Sequence, residues 1–183
     1  MSTARYPSGW ERTAHARDGA EFYICPIRPD DAERERQFIE TLSPESSYKR
    51  FMHTVHNPSS SFIQQMVNVD YRRTMAFVAL VDESDSAQII GVARYAATDE
   101  QESNCEFAVA VADAWQSRGV GTTLMRLLLR YARLQGFTQT HGPILAANTH
   151  MVELAHDLGL KMRHVPGDWA VVEALGAALG AFR

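Results

Sequence analysis

The stretch VAVADAWQSRGVGTTLMRLLLRYARLQG, Val109 to Gly136, constrains the fold of this chain more than any other. Small and apolar residues give way to QSRGVG, and a long apolar-periodic run follows at once. From about Ser117 to Gln135 the apolar residues Val120, Leu124, Leu127, Leu128, Tyr131 and Leu134 fall on one helical face. Gly136 ends that helix. Such a helix needs a sheet to cover, and the strand before it supplies one.

The rest of the chain fits the same plan. ERTAHARDGAEFYICPIR reads as a hairpin turning at Asp18-Gly19. RPDDAERERQFIETL is a helix capped by Asp30 or Asp31, and Ser43-Pro44 restarts helix with Ser as N-cap and Pro at the first helical position. SSSFIQQMVN supplies a further short helix. TMAFVALVD, QIIGVARYAAT and NCEFAVAVA are three strands joined by the short acidic loops DESDS and DEQES, as in a meander. After the long helix come the strand FTQTHGPILAA, the helix NTHMVELAHDLG and the strands LKMRHV and DWAVVEAL. The order predicts a single α/β domain over residues 11–183 with a mixed, mostly antiparallel sheet flanked by helices, preceded by a mobile segment, residues 1–10. The alanine- and glycine-rich end, WAVVEALGAALGAFR, is expected to cap the sheet or to meet a partner chain.

Two glycines and an arginine at the mouth of a strong helix leave three readings: a nucleotide phosphate site, a coenzyme phosphate site, or a tight turn. The helix N-terminus offers unpaired N–H groups and about half a positive charge. Gly119 and Gly121 lack a Cβ, so an anion can approach the backbone. A P-loop needs Lys followed by Ser or Thr after the second glycine, and TTLM stands there instead. A dinucleotide fingerprint needs a third small residue where Leu124 stands, and follows the first strand of a parallel unit rather than a meander. A bare turn explains one glycine but not the pair together with Gln116 and Arg118. A coenzyme pyrophosphate cradle remains.

Composition narrows the partners. Across 183 residues, 45% are hydrophobic and 22% charged, with a formal net charge of -4, which argues against a nucleic-acid surface. No apolar run reaches membrane-span length and no signal-peptide core opens the chain, so a cytoplasmic protein is expected. Cys25 and Cys105, both within strands, read as buried free thiols. His53 and His56 have ligand-like spacing without a cluster to complete a site, so no metal is expected.

QSRGVG matches the Q/R-x-x-G-x-G/A pattern of the GCN5-related N-acetyltransferases (GNAT), in the same place after the fourth main strand. The longer string RDG…PIRPDDA…LSPESSYKRF…VDYRRTMAFVA…GVARY…CEFAVAVADAWQSRGVG…N…M…LGL resembles the catalytic domain of bacterial protein lysine acetyltransferases, over about Tyr6 to Leu160. Those enzymes modify acyl-CoA synthetases and other metabolic proteins. The resemblance implies an acetyl-CoA-dependent N-acetyltransferase acting on a protein lysine, such as one on an acyl-CoA synthetase. Acetylation of a small amine (a polyamine, amino acid or aminoglycoside) stays open, as does a non-catalytic acyl-CoA sensor. Members of the subgroup often carry a synthetase-like or cyclic-nucleotide-binding domain, which this chain is expected to lack. A monomer or homodimer is expected.

Residue by residue, the resemblance makes Glu106 the general base, at the head of a strand face that continues with Ala108, Ala110 and Ala112. A free lysine amine, with a pKa of about 10.4, must lose a proton before it attacks, so a base is needed. The resemblance also puts the backbone around Val109 and Val111 against the pantetheine arm. It assigns the pyrophosphate to the segment Arg118, Gly119, Val120, Gly121 and Thr122, with Gln116, Arg118 and Thr123 ordering the loop or reaching phosphate. Asn148 lies near the pantetheine and reads equally as an N-cap. Seven residues on, where many relatives place a tyrosine acid, stands Ala155. The lysine acetyltransferase subgroup also lacks that tyrosine. His156 is the nearest titratable neighbour.

Overall fold

The computed structural model describes residues 5–82, 86–98 and 103–177. β1 (Arg12–His15) and β2 (Glu21–Pro26) form the expected hairpin, with Gly19 at φ 86° in its turn. α1 (Ala32–Thr41) follows a short turn in which Asp31 accepts from the Arg28 N–H at 2.8 Å. α2 (Pro44–Phe51) starts where Ser43 accepts from the Ser46 N–H, and α3 (Ser60–Val67) starts on Ser59 in the same way. Both starts are hydroxyl caps that satisfy one of the four free N–H groups of a first helical turn.

β3 (Thr74–Val81), β4 (Gln88–Ala97) and β5 (Asn104–Val111) form the antiparallel meander. Then come α4 (Val120–Leu134), β6 (Gln139–Leu145), α5 (Thr149–Asp157), β7 (Lys161–Val165) and β8 (Asp168–Ala177). The eight strands lie in the order β1-β2-β3-β4-β5-β6-β8-β7. Among the described strands only β5 and β6 run parallel, so the sheet is mixed and mostly antiparallel as expected. The long connection through α4 is what allows that one parallel pairing.

The sheet is covered on both faces. In β3, Met75, Phe77 and Ala79 pack with α4, while Ala76, Val78 and Leu80 pack with α1 and α3. TMAFVALV is a near-continuous apolar run for that reason. On α4 the expected face is buried except at its end. Leu134 is 65% exposed, because the chain turns at Gly136 and Phe137, 3% exposed, takes the core position instead. Cys25 and Cys105 are buried and not joined in a disulfide.

Part of the opening segment, expected to be mobile, makes contacts with the domain. Tyr6 donates to Glu11 at 2.6 Å under the Arg28 guanidinium, and the Trp10 ring lies 4.9 Å from that of Tyr131. Residues 1–4, the tips of both acidic loops (83–85 and 99–102) and the tail 178–183 lie outside the described residues.

Candidate active site: a cleft between two diverging strands

The parallel pairing of β5 with β6 covers only Asn104↔Gln139, Cys105↔Thr140 and Glu106↔His141. Beyond it the strands part around a cavity of about 620 Å³. The cause is local and lies in β6. In this register the next ladder bond would run from the N–H of residue 143 to the Phe107 carbonyl, and residue 143 is proline, which has no N–H. At Gly142 a Cβ would meet that carbonyl at 2.8 Å and the Phe107 ring at 2.9 Å, so only glycine fits. The pair Gly142-Pro143 is the sequence signal for the cleft. A proline inside a strand marks the end of pairing on that side.

The split leaves one edge of β5 without a strand partner. Ala112 donates its N–H to Ile90 on β4, whereas the Val111 carbonyl accepts from the Gln116 side chain at 3.1 Å. Backbone groups alternate along a strand, so Val109 and Val111 direct theirs away from β4 and into the cleft. Both residues line it.

The loop before α4 is built to offer donors. Ser117 and Gly119 adopt φ 60° and 90°, a left-handed geometry that costs an L-residue about 1–2 kcal/mol and glycine nothing. The N–H groups from Ser117 to Thr122 find no acceptor among the described residues. The first backbone bond of the helix is donated by Thr123, to the Gly119 carbonyl. Gly119, Gly121 and Thr122 line the cleft, while the Val120 side chain is 1% exposed within the core. Thr123 turns its hydroxyl back to the Gly119 carbonyl at 3.0 Å. Gln116 orders the loop by donating to Ser46 on α2 and to Val111. Arg118 points away from the cleft: it pairs with Asp18 at 2.6 Å and stacks 3.9 Å from the Trp115 ring.

Glu106 stands at the last paired position, on the sheet face that carries Ala110, Ala112 and the helices α1 and α3. Its side chain is exposed to the cleft and makes no hydrogen bond or ion pair with any described residue. Opposite, α2 contributes Arg50, half-buried on the cleft wall. Burial and the neighbouring Arg94 push the Arg50 guanidinium down to about 10, against the pull of Glu35 and Glu106. Beneath it Glu35, 3% exposed, accepts from Arg94 at 2.9 Å. Asn148 lines the cleft and caps α5, accepting from the Met151 N–H at 3.3 Å. Ala155 is fully buried, and His156 is exposed and is not part of the cleft lining.

Seven of the residues singled out in the sequence for coenzyme binding therefore share one cleft with Glu106, and Arg118, Val120 and Thr123 have side chains directed elsewhere. Arg17, Ser46, Lys49, Arg50 and His150 also line it and were not among them. They come from the first hairpin, α2 and α5, and no local motif marks them.

The model of the Acetyltransferase (GNAT) family matches residues 35–160 of this chain. An acetyltransferase of Pseudomonas aeruginosa is 42% identical over 151 residues, covering 82% of this chain and 81% of the relative. The acetyltransferase Pat of Mycolicibacterium smegmatis is 30% identical over 143 residues, which span 78% of this chain but 42% of that protein. Among solved structures, the GNAT domain of S. lividans PAT superposes with a TM-score of 0.86 at 27% identity, over 94% of this chain and 99% of that one.

Proposed function

Because the chain belongs to the acetyltransferase (GNAT) family and is an acetyl-CoA-dependent acetyltransferase, we propose that it transfers acetyl to a protein lysine side chain in the β5–β6 cleft, with Glu106 as general base. The observation that carries this reading is the position of Glu106 at the point where β5 and β6 separate. A thioester arm lying along the free edge of β5, held by Val109 and Val111, brings its carbonyl to that point. The pyrophosphate rests on the free N–H groups of the loop from Arg118 to Thr122, the chemistry of an anion at a helix N-terminus. Pyrophosphate fits because Gly119, Gly121 and Thr122 line the cleft with N–H groups that have no acceptor among the described residues.

The acceptor amine enters beside α2. Glu106, directly or through a water, takes a proton from the ammonium, and the neutral nitrogen attacks the carbonyl carbon. The tetrahedral intermediate then collapses, the C–S bond breaks and the thiolate leaves, and the nitrogen gives up its extra proton, which ends on the thiolate to give the coenzyme thiol. A coenzyme thiol resembles that of cysteine, with a pKa of about 8.5, so it leaves without a dedicated acid. The buried Ala155 is consistent with that route. A protein acceptor is favoured over a polyamine by the α2 wall. There Lys49 is paired with Glu45, but the Arg50 guanidinium lines the cleft and repels the several charges of a polyamine more than the single ammonium of a lysine.

Glu106→Gln keeps the size of the side chain and removes its ability to accept a proton. Calorimetric acetyl-CoA affinity is expected to stay near wild type while turnover falls by roughly 10²–10⁴-fold. Undiminished turnover would remove Glu106 from the mechanism. Incubating the protein with an acyl-CoA synthetase and, separately, with polyamines tests the acceptor by the mass of one added acetyl group. Labelling of the polyamines alone would overturn the protein-lysine reading.

A further inference from the structure

We infer that Arg17, in the turn of the first hairpin, binds a phosphate group of the coenzyme. The inference rests on coenzyme occupying the β5–β6 cleft. The tripeptide Arg17-Asp18-Gly19 closes the hairpin, and two contacts lock that turn to the loop before α4. The Arg17 N–H donates to the Arg118 carbonyl at 2.9 Å, and Asp18 pairs with the Arg118 guanidinium at 2.6 Å. The turn thus uses its carboxylate on Arg118 and leaves the neighbouring cation without one. The Arg17 guanidinium has no hydrogen bond or ion pair to any described residue.

Its position gives that free charge a use. The Arg17 side chain lies across Gly119, with Cγ 3.4 Å and Nε 3.7 Å from where a Cβ on that glycine would stand, and it lines the cleft. Ser117, Gly119, Gly121 and Thr122, whose N–H groups have no acceptor among the described residues, line the same cleft. An exposed arginine beside a row of unsatisfied N–H groups is the arrangement that holds phosphate, because the planar guanidinium binds two oxygens at once. Coenzyme A carries two such anions within reach of that cleft, the pyrophosphate and the ribose 3′-phosphate.

The test is calorimetric binding of coenzyme A and of dephospho-coenzyme A to wild type, Arg17→Ala and Arg133→Ala. Arg133, exposed in the last turn of α4, controls for loss of one positive charge. Arg17→Ala keeps the backbone bond to Arg118 and the Asp18 pair, so its thermal midpoint is expected to match wild type. Its affinity for coenzyme A is expected to fall roughly tenfold to a hundredfold, the range for a charge-assisted hydrogen bond. An equal loss towards both ligands assigns Arg17 to the pyrophosphate. A loss confined to coenzyme A assigns it to the 3′-phosphate. Affinity unchanged, or lowered no more than by Arg133→Ala, overturns the inference. Binding of neither ligand by wild type instead overturns the cleft as the coenzyme site.

Discussion

Gly121 separates two reasons for a glycine at a helix start. Its backbone is not left-handed, and a Cβ there would touch Leu154 Cδ1 and Val111 Cγ2 at 3.4 Å, an ordinary contact. The fold therefore tolerates alanine, and Gly121→Ala is expected to leave stability unchanged or raise it by up to about 1 kcal/mol through lower chain entropy. Valine adds two methyl groups in the space between β5 and α5. Gly121→Val is expected to raise the Michaelis constant for acetyl-CoA at least about tenfold, roughly 1.4 kcal/mol of lost binding, while Gly121→Ala changes it far less. Equal coenzyme affinity in all three proteins would make Gly121 a packing residue only. Gly119 differs, because its φ of 90° demands glycine whether or not a ligand binds.

The elements set the site through their ends and edges. β6 loses its pairing with β5 at Gly142-Pro143, while keeping that with β8, and that single interruption makes the cleft. The opening segment depends on another end contact, the Glu11 carboxylate, which accepts from Tyr6 and Tyr23 and pairs with Arg28 at 2.9 Å. The Tyr6 hydrogen bond, then those of Tyr23 and Arg28, hold this carboxyl below its usual value of 4.5. A depressed carboxylate contributes stability that is present above the unfolded value and lost as pH falls through the folded one. Acidification below about pH 4.5 is thus expected to release the segment carrying Trp10, read as a change in Trp fluorescence. Glu11→Gln is expected to flatten that acid transition and to cost about 1–3 kcal/mol at neutral pH, measured by denaturant titration. An unaltered acid transition would assign it to other carboxylates.

Across the whole molecule, a coenzyme in the proposed site would touch elements from both halves of the sheet and is therefore expected to stabilise the fold. At a hundred times its dissociation constant, acetyl-CoA should add about 2.7 kcal/mol. In a domain of this size that raises the thermal midpoint by roughly 5–10 °C. No shift at millimolar acetyl-CoA would exclude the cleft as its site. Much of this design was legible in the chain itself: the hairpin at Asp18-Gly19, the hydroxyl-capped α2, the one-faced α4 and the free donors around Gly119 follow from turn chemistry, capping and periodicity, all of which act within a few residues. The single-domain α/β sheet followed from the order of those elements. Tertiary structure alone decided that β8 would lie between β6 and β7 and that Arg118 would turn to Asp18. It also brought Arg17 over Gly119 and set Arg50 facing the cleft, residues whose partners lie far away in sequence. Local patterns encode what a segment does with its own backbone. Which side chain meets which depends on how covered faces stack, and no short stretch of sequence contains that information.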